Sequence, residues 1–482
     1  MGFSCSLFSI ICTLKISTIF LVSVKVGNMD KSGEKSNNLS KLNKNDVLKE
    51  ANRCLNCSFA PCKKKCPLGV NIPEFINRVK NQDINKAFEV ISKDSYFPLI
   101  CSRICPKETQ CEGACIQGKK GKPVSIGMIE LFVASVCNNL DNEKAPFLGI
   151  RSSRKSNNSK KIAVVGSGPA GLSCAIFLRS LGYNVTIFER MSEIGGMLFY
   201  GVPEFRFKKS ILKNEITKLK MMGIDIKNKI EIGKDIFLKD LLNNKKFCAI
   251  FLATGTWTPK KLNISGENLK GVYNFIDFLL FFNNQKNKVL ESAKNIAVVG
   301  GGSVAIDVAR CAKKIKNISN VYLIYRRSIN EILANEEEIK EAVNEDINFK
   351  MLTNVKEIVG DGLGNIKKIV CTKNKILEKL DKSGRPIFSE ISDTEFTINT
   401  DIFIVCVGSN SSTLPEEDPY KKILYQNTGA IKVKENFQSI EIPQIFAGGD
   451  LVLGPSTAAK AMANGKKVAE NIHRYLNESI SL

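Results

Sequence analysis

Histidine is nearly missing: the 482 residues contain one, His473. That excludes most catalytic zinc sites, Ser-His-Asp and Cys-His triads, and any acid–base scheme built on imidazole. Long apolar runs are missing too. The uncharged stretch 16–24 falls far short of the ~20 residues that span a bilayer. Arginine is scarce, supplying 13 of the 70 cationic residues. Nucleic-acid readers concentrate arginine on one face, whereas the +22 formal charge here comes from lysines scattered through every segment. The charge therefore reads as solvated lysine faces, with no nucleic acid implied. A 43% hydrophobic fraction beside 24% charged residues excludes a disordered, collagen-like or multi-span protein, and the length provides for several domains.

Cysteine is what the chain has in quantity, 16 residues, and eight of them crowd one segment. They run Cys54-x2-Cys57-x4-Cys62-x3-Cys66-Pro67, then Cys101-x3-Cys105-x5-Cys111-x3-Cys115. Cys137, Cys174, Cys248, Cys311, Cys371 and Cys406 are isolated, most in apolar runs as small core residues. A secreted disulfide scaffold is short and spreads its cysteines through the fold. Confinement to one basic, helix-forming segment favours a metal framework in a reducing, cytoplasmic setting. Zinc and iron–sulfur clusters both accept thiolate quartets, and a run closed by Cys-Pro matches the ferredoxin pattern. Eight ligands would serve two clusters, with Cys101 the doubtful member.

The first 28 residues are apolar but broken by Lys15 and Lys25, with no basic region ahead of the apolar stretch. They fit neither a signal peptide nor a membrane span. MGFSCS matches the loose myristoylation pattern, and Met29 opens an ordinary polar start. Residues 40–150 read as mostly helical, as in NIPEFINRVKNQDINKAFEVISK, and the polar stretch RSSRKSNNSKK (151–161) reads as a linker.

After it comes KIAVVGSGPAGLSCAIFLRSLGYNVTIFER: a strand, Gly166, Gly168 and Gly171, a helix, and a second strand ending at Glu189. Gly166 suits the tight turn, Gly168 lets backbone approach a pyrophosphate, and Gly171 lets helix pack on strand. The helix N-terminus attracts the pyrophosphate and Glu189 suits ribose hydroxyls. NIAVVGGGSVAIDVARCAKKI repeats the pattern with Gly300, Gly302 and Ala305. Its second strand ends in Arg326-Arg327, and paired guanidiniums suit the 2′-phosphate of NADPH where an acid would repel it.

Two dinucleotide loops, FLATGTW around Gly255, IVCVGS around Gly408 and FAGGDLVLGPSTAAKAMANGKK together resemble the two-dinucleotide flavoprotein reductases. With RCLNCSFAPCKKKCPLGVNIPEFI and CSRICPKETQCEGACIQG, the resemblance from about residue 45 to 475 is to the glutamate synthase small (β) subunit family. Dihydropyrimidine dehydrogenase and the NADH-dependent ferredoxin:NADP oxidoreductase contain the same module. The resemblance implies an α/β fold, with two Rossmann-like domains preceded by an α-helical iron–sulfur domain. It divides the chain into an extension (1–39), a domain with two [4Fe–4S] clusters (40–150), and an FAD domain in halves 151–292 and 398–482. An NADPH domain (293–397) is inserted between those halves.

By the same resemblance FAD meets Gly166, Gly168, Pro169, Ala170, Gly171, Glu189, Gly196, Met197, Arg206, Gly255, Gly449, Asp450 and Thr457. NADPH meets Gly300, Gly302, Ser303, Val304, Ala305, Arg326, Arg327 and Gly408. One cluster takes Cys54, Cys57, Cys62 and Cys115. The other takes Cys66, Cys105 and Cys111 with Glu130, where dihydropyrimidine dehydrogenase has glutamine, and Cys101 is a bystander. ILANEEEI departs from the family's M-P-A-x-x-x-E, though Ala334 and Glu338 keep register. The implied activity is electron transfer between NADPH, FAD, two clusters and a partner: the glutamate synthase large subunit, making L-glutamate from glutamine and 2-oxoglutarate. The length has no room for the amidotransferase or FMN barrel of that large subunit. The alternative is the flavoprotein half of a ferredoxin:NADP transhydrogenase. A stand-alone disulfide or quinone reductase fits less well, since no C-x-x-C follows the FLATG or lies in the inserted domain.

Overall fold

The computed structural model describes residues 43–140, 159–283, 290, 292–381, 384–426 and 429–478. The expectations for residues 1–42, including the MGFSCS pattern and the Met29 start, lie outside them, as does most of the polar linker. Among the described residues no helix is long and apolar enough to cross a membrane.

The cysteine-rich segment is a cluster of short helices. Ile72–Lys80 and Ile84–Ser92 each carry apolar residues at helical spacing, and Phe75, Ile76, Val79, Ala87 and Ile91 meet in one core with Ile129 and Val133 of the helix Ile126–Leu140. The two helices part at Gln82 (φ 59°), after which the Asp83 carboxylate accepts from the Lys86 N–H and starts the second. Cys54, Cys62, Cys66, Cys111 and Cys115 pack against this core from its edge. The helix Pro98–Ile104 belongs to a different core: Phe97, Ile100 and Cys101 are buried with Ile162 and Val164 of the first nucleotide sheet and Leu172 of the helix that follows. The cysteine segment is thus joined directly to that sheet.

Two five-stranded parallel sheets follow. The first runs in the order Ile445–Ala447, Phe247–Leu252, Lys161–Val165, Asn184–Glu189, Asp225–Asn228; the second runs Val272–Asn274, Ile402–Val405, Asn295–Val299, Asn320–Ile324, Asn348–Lys350. KIAVV and NIAVV sit in the middle of their sheets. Parallel strands there are covered on both faces, which is why both read as continuous apolar runs. Each glycine loop starts alike: Gly166 N donates to Phe188 O (2.8 Å) and Gly300 N to Ile324 O (3.0 Å). The chain leaves the first sheet after residue 252 and returns to it at residue 445.

The second sheet reaches past residues 293–397 on both sides, through Val272–Asn274 and Ile402–Val405. A glycine signature marks only the strand that precedes it, while that strand needs a hydrogen-bonded neighbour along each edge. Between the second sheet's strands lies an antiparallel layer of Thr353–Gly360, Ile366–Leu380, Pro386–Glu390 and Phe396–Asn399.

The C-terminal helix Ala458–Glu478 lies across the helix Pro169–Ser180 at very short range. A Cβ at Gly465 would stand 2.1 Å from the Ala170 carbonyl oxygen. Gly465→Ala should therefore push the two helices apart and cost about 1–3 kcal/mol. Thermal unfolding should show a lower midpoint, while Gly121→Ala, whose Cβ would meet nothing within 4 Å, should leave it unchanged.

Candidate functional site

The carboxyl ends of both central strands open into one cleft of about 900 Å³. Of the residues expected to meet FAD, Gly166, Gly168, Pro169, Ala170, Glu189, Gly196, Met197, Arg206, Gly255, Asp450 and Thr457 line it. So do all of those expected at NADPH: Gly300, Gly302, Ser303, Val304, Ala305, Arg326, Arg327 and Gly408. Gly171 and Gly449 are not in the cleft wall. They lie beneath it, where added Cβ atoms would meet the Gly166 carbonyl oxygen (2.0 Å) and the Ala170 Cβ (2.6 Å), so their part is to let backbones touch.

Gly168 and Gly302 have nothing within 4 Å of the place a Cβ would take. Each stands immediately before a helix, Pro169–Ser180 and Ser303–Lys313, at the mouth of the cleft. That open space beside first-turn N–H groups is a cradle for a pyrophosphate at each loop. Glu189 is buried and held: Oε2 accepts from Ser167 N (2.9 Å) and Ser167 Oγ (2.6 Å), and Oε1 from Met191 N (2.8 Å). Across the cleft, Asp450 accepts from Ser456 Oγ (2.6 Å), and burial raises its carboxyl above the usual range. Thr457 Oγ1 accepts from Lys460 N (3.3 Å) at the start of the C-terminal helix. The lone tryptophan, Trp257, lines the same cleft beneath the Arg190 guanidinium, 5.2 Å from the ring centre. These donors and open spaces fit two dinucleotides.

Arg206, expected at the flavin, lines the cleft and is also paired with two carboxylates. Its Nε donates to Asp307 Oδ1 (2.7 Å) and its Nη2 pairs with Glu338 Oε1 (2.6 Å), with 15% of its side chain exposed. Asp307 lies on the helix Ser303–Lys313 and Glu338 on Glu336–Asn344, so Arg206 ties the first nucleotide half to two helices of the second. Burial pushes the Asp307 carboxyl up to about 6 against the pull of Arg206. Two buried carboxylates need cationic partners, and Arg206 pairs directly with both while Arg310 also acts on Asp307.

The cysteines of this segment lie in two groups. Cys54, Cys57, Cys62 and Cys115 line one small cavity; burial raises the Cys62 thiol to about 11, and the neighbouring Cys54 and Cys115 raise it further. Cys66, Cys105, Cys111 and Glu130 form the second group. Burial raises Cys66 and Cys111, and Glu130 and Cys105 act on both in the same direction. Burial lifts the Glu130 carboxyl to about 7, opposed by Lys107. Cys101 is buried in the sheet core beside Cys105, whose thiol it raises through a hydrogen bond, with burial second. Acidic groups crowded in such places cost free energy until a cationic centre takes their protons' place, so this donor set fits metal. Among the described residues no three His, Cys, Asp or Glu side chains close on a point that one ion could hold, and every cysteine is a free thiol. A four-iron cube holds its thiolates farther apart than a single tetrahedral ion does.

One feature was invisible in the sequence. The cysteine segment forms part of the nucleotide cleft: Ile104 and Pro106, on either side of Cys105, line it, and Gln110 Nε2 donates to Thr457 Oγ1 (3.3 Å). Neither a hydrophobic period nor a motif announces a contact across 347 residues.

A model of dihydropyrimidine dehydrogenase domain II, 4Fe–4S cluster, matches residues 31–141, and one of pyridine nucleotide-disulphide oxidoreductases matches residues 160–465. The chain is 34% identical over 437 residues to the NADP(+)-dependent formate dehydrogenase subunit beta of Moorella thermoacetica, covering 87% of this chain and 60% of that protein, so it spans about three fifths of that relative. It is 30% identical over 445 residues to the glutamate synthase [NADPH] small chain of Escherichia coli (strain K12), covering 89% and 91%. The structure of Mycobacterium tuberculosis FprA in complex with NADPH superposes with a TM-score of 0.59 at 18% identity, over 67% of this chain and 86% of that one, a likeness of fold.

Arg206→Met should leave Asp307 and Glu338 with only Arg310, itself paired with Glu341 and Glu345, as a nearby guanidinium, and cost on the order of 3–5 kcal/mol. Chemical denaturation should show the loss, and adding Asp307→Asn with Glu338→Gln should recover much of it. A residue serving only as a flavin contact would show neither effect.

Proposed function

The chain belongs to the pyridine nucleotide-disulphide oxidoreductase family, and to the glutamate synthase small chains within it, and on that footing we propose that it is the electron-transferring subunit of an NADPH-dependent oxidoreductase. It carries electrons between NADPH, FAD and two [4Fe–4S] clusters, and exchanges them with a partner protein. The observation that carries this reading is the wall shared by the nucleotide cleft and the loop bearing Cys105 and Cys111, with Gln110 on Thr457 as its seam. A nicotinamide carries a hydride, a flavin exchanges two electrons or one, and a cluster exchanges one.

The chain's own residues bind and orient. At the first loop the N–H groups following Gly168 take a pyrophosphate, and Glu189, locked by Ser167 and Met191, offers its remaining lone pairs to ribose hydroxyls. Gly302 and Ser303 repeat the cradle at the second loop, where Arg326 stands for the 2′-phosphate. Cys66, Cys105, Cys111 and Glu130 would hold the cluster nearer the flavin, since Cys105 packs on the first sheet's core. Cys54, Cys57, Cys62 and Cys115 would hold the outer one, beside the exposed Leu55 and Phe59, toward a partner. No side chain moves a proton in the hydride step, in keeping with a single histidine.

The finer reading is that the partner is a glutamate synthase large subunit, supported by the 91% coverage of the E. coli small chain. The identity to a formate dehydrogenase subunit favours a second reading, in which the same electron path serves a different dehydrogenase. Free thiols throughout the described residues suit a reducing, cytoplasmic setting.

Protein purified without oxygen should contain one FAD and about eight irons with matching sulfide, and NADPH should bleach its visible spectrum. Zinc in place of iron would overturn the cluster assignment. Co-purification from the native source should bring down a large glutamate synthase subunit; recovery of a formate dehydrogenase instead would move the proposal to the second reading.

A further inference from the structure

The two arginines that close the strand Asn320–Ile324 have different fates. Arg327 is buried, and its guanidinium donates to Pro386 O (2.7 Å) and Asp381 Oδ2 (2.8 Å). Asp381 directly follows the strand Ile366–Leu380, and Pro386 opens the strand Pro386–Glu390. The two ends of the intervening turn are bonded to each other, with Asp381 N donating to Arg385 O (2.7 Å) and Arg385 N to Asp381 Oδ1 (3.1 Å). Arg326 is exposed, and its guanidinium lies 5.1 Å from the ring centre of Phe388 in the same hairpin. Arg385, from the turn itself, lines the cleft with Arg326, Ser303 and Val304. Burial raises the phenol of Tyr325, while the charges of Arg327, Arg385 and Arg326 all pull it the other way, so three cations converge at this end of the cleft.

From this geometry we propose that Arg326 and Arg385 together hold the 2′-phosphate of NADPH, and that Arg327 is a positioning residue that fastens the hairpin carrying Arg385. The inference rests on the reading that the second glycine loop holds NADPH. A phosphate dianion asks for more than one cation, and guanidiniums on two separate elements can grip it from two sides. Arg327 is poorly suited to that task, because a carbonyl at 2.7 Å and the Asp381 carboxylate at 2.8 Å take its donors, whereas Arg385 approaches the same carboxylate only to 3.9 Å and is 39% exposed. The Asp381 charge, which would otherwise repel a phosphate, is neutralised by the same bond. Discrimination for NADPH would thus come from the inserted antiparallel hairpin as well as from the strand end where sequence reasoning looked for it.

The test measures binding of 2′,5′-ADP and of 5′-AMP to the oxidised, FAD-loaded protein by titration calorimetry. Wild type should prefer 2′,5′-ADP. Arg385→Ala should weaken 2′,5′-ADP roughly tenfold or more and leave 5′-AMP unchanged, and Arg385→Lys should recover part of the loss. Arg327→Met should weaken 2′,5′-ADP as well, but with faster amide exchange along 366–390, which Arg385→Ala should not show. If wild type binds the two probes equally, the NADPH reading itself fails. If wild type discriminates and Arg385→Ala discriminates as well, the role given to Arg385 is wrong. Loss of discrimination in Arg327→Met with unchanged exchange would make Arg327 a phosphate ligand and overturn its positioning role.

Discussion

The near-contact of backbone between Ala170 and Gly465 is the constraint on which the rest of the structure hangs. Two helices can come this close only where one of them has no side chain, and the C-terminal helix crosses the first turn of the nucleotide helix at that point. The crossing brings Thr457 to the rim of the cleft and brings Asp450 to the far side of the first glycine loop. Gly449 makes a second such contact on the Ala170 side chain. Once Thr457 is there, Gln110 can reach it, and the cysteine loop is drawn to the cleft. A chain of short contacts therefore runs from a glycine near residue 465 to the cysteines near residue 110.

The two nucleotide sheets are built alike and finished oppositely. Both set a glycine loop after a central apolar strand, and both loops open a hydrogen bond to the neighbouring strand. The first neighbour ends in Glu189, fastened by Ser167; the second ends in arginines set among a hairpin's groups. Charge at the strand end is what separates one dinucleotide from another. Arg206 then couples the halves, its guanidinium shared by two helices of the second sheet. Because that pairing is buried, a change in the angle between the halves would have to break or remake it, so it resists free rotation.

Much of this was legible in the sequence, for reasons that can be named. Parallel central strands are covered on both faces, so KIAVV and NIAVV show as unbroken apolar runs, and glycines at fixed offsets mark the loops that follow. The grouping of the cysteines came from resemblance rather than from spacing. What stayed hidden was what distant segments do to one another. The ion pairs of Arg206 and Arg327 could not be read there, because a lone sequence shows a charge and not its partner, and the partners lie far along the chain. The extent of the second sheet was hidden for a similar reason: strands of three or four residues carry too little pattern to announce themselves.

The near-absence of histidine and the crowding of cysteine are two sides of one arrangement. A hydride transfer between rings needs no imidazole, and the cleft is lined by glycine backbone, apolar side chains, carboxylates and guanidiniums. The thiols pose the opposite problem. Buried together with Glu130, they are held protonated by their surroundings, and each costs free energy as an anion. A cationic cluster reverses that cost and turns the same crowding into binding energy. The helices around the cysteines are mostly short, so a bound cluster would add its binding free energy to the folding of this segment. Because Gln110 lies in that segment and holds Thr457, the assembled clusters also bear on the shape of the nucleotide cleft. The site that would take electrons from the flavin thereby helps to build the flavin's own wall.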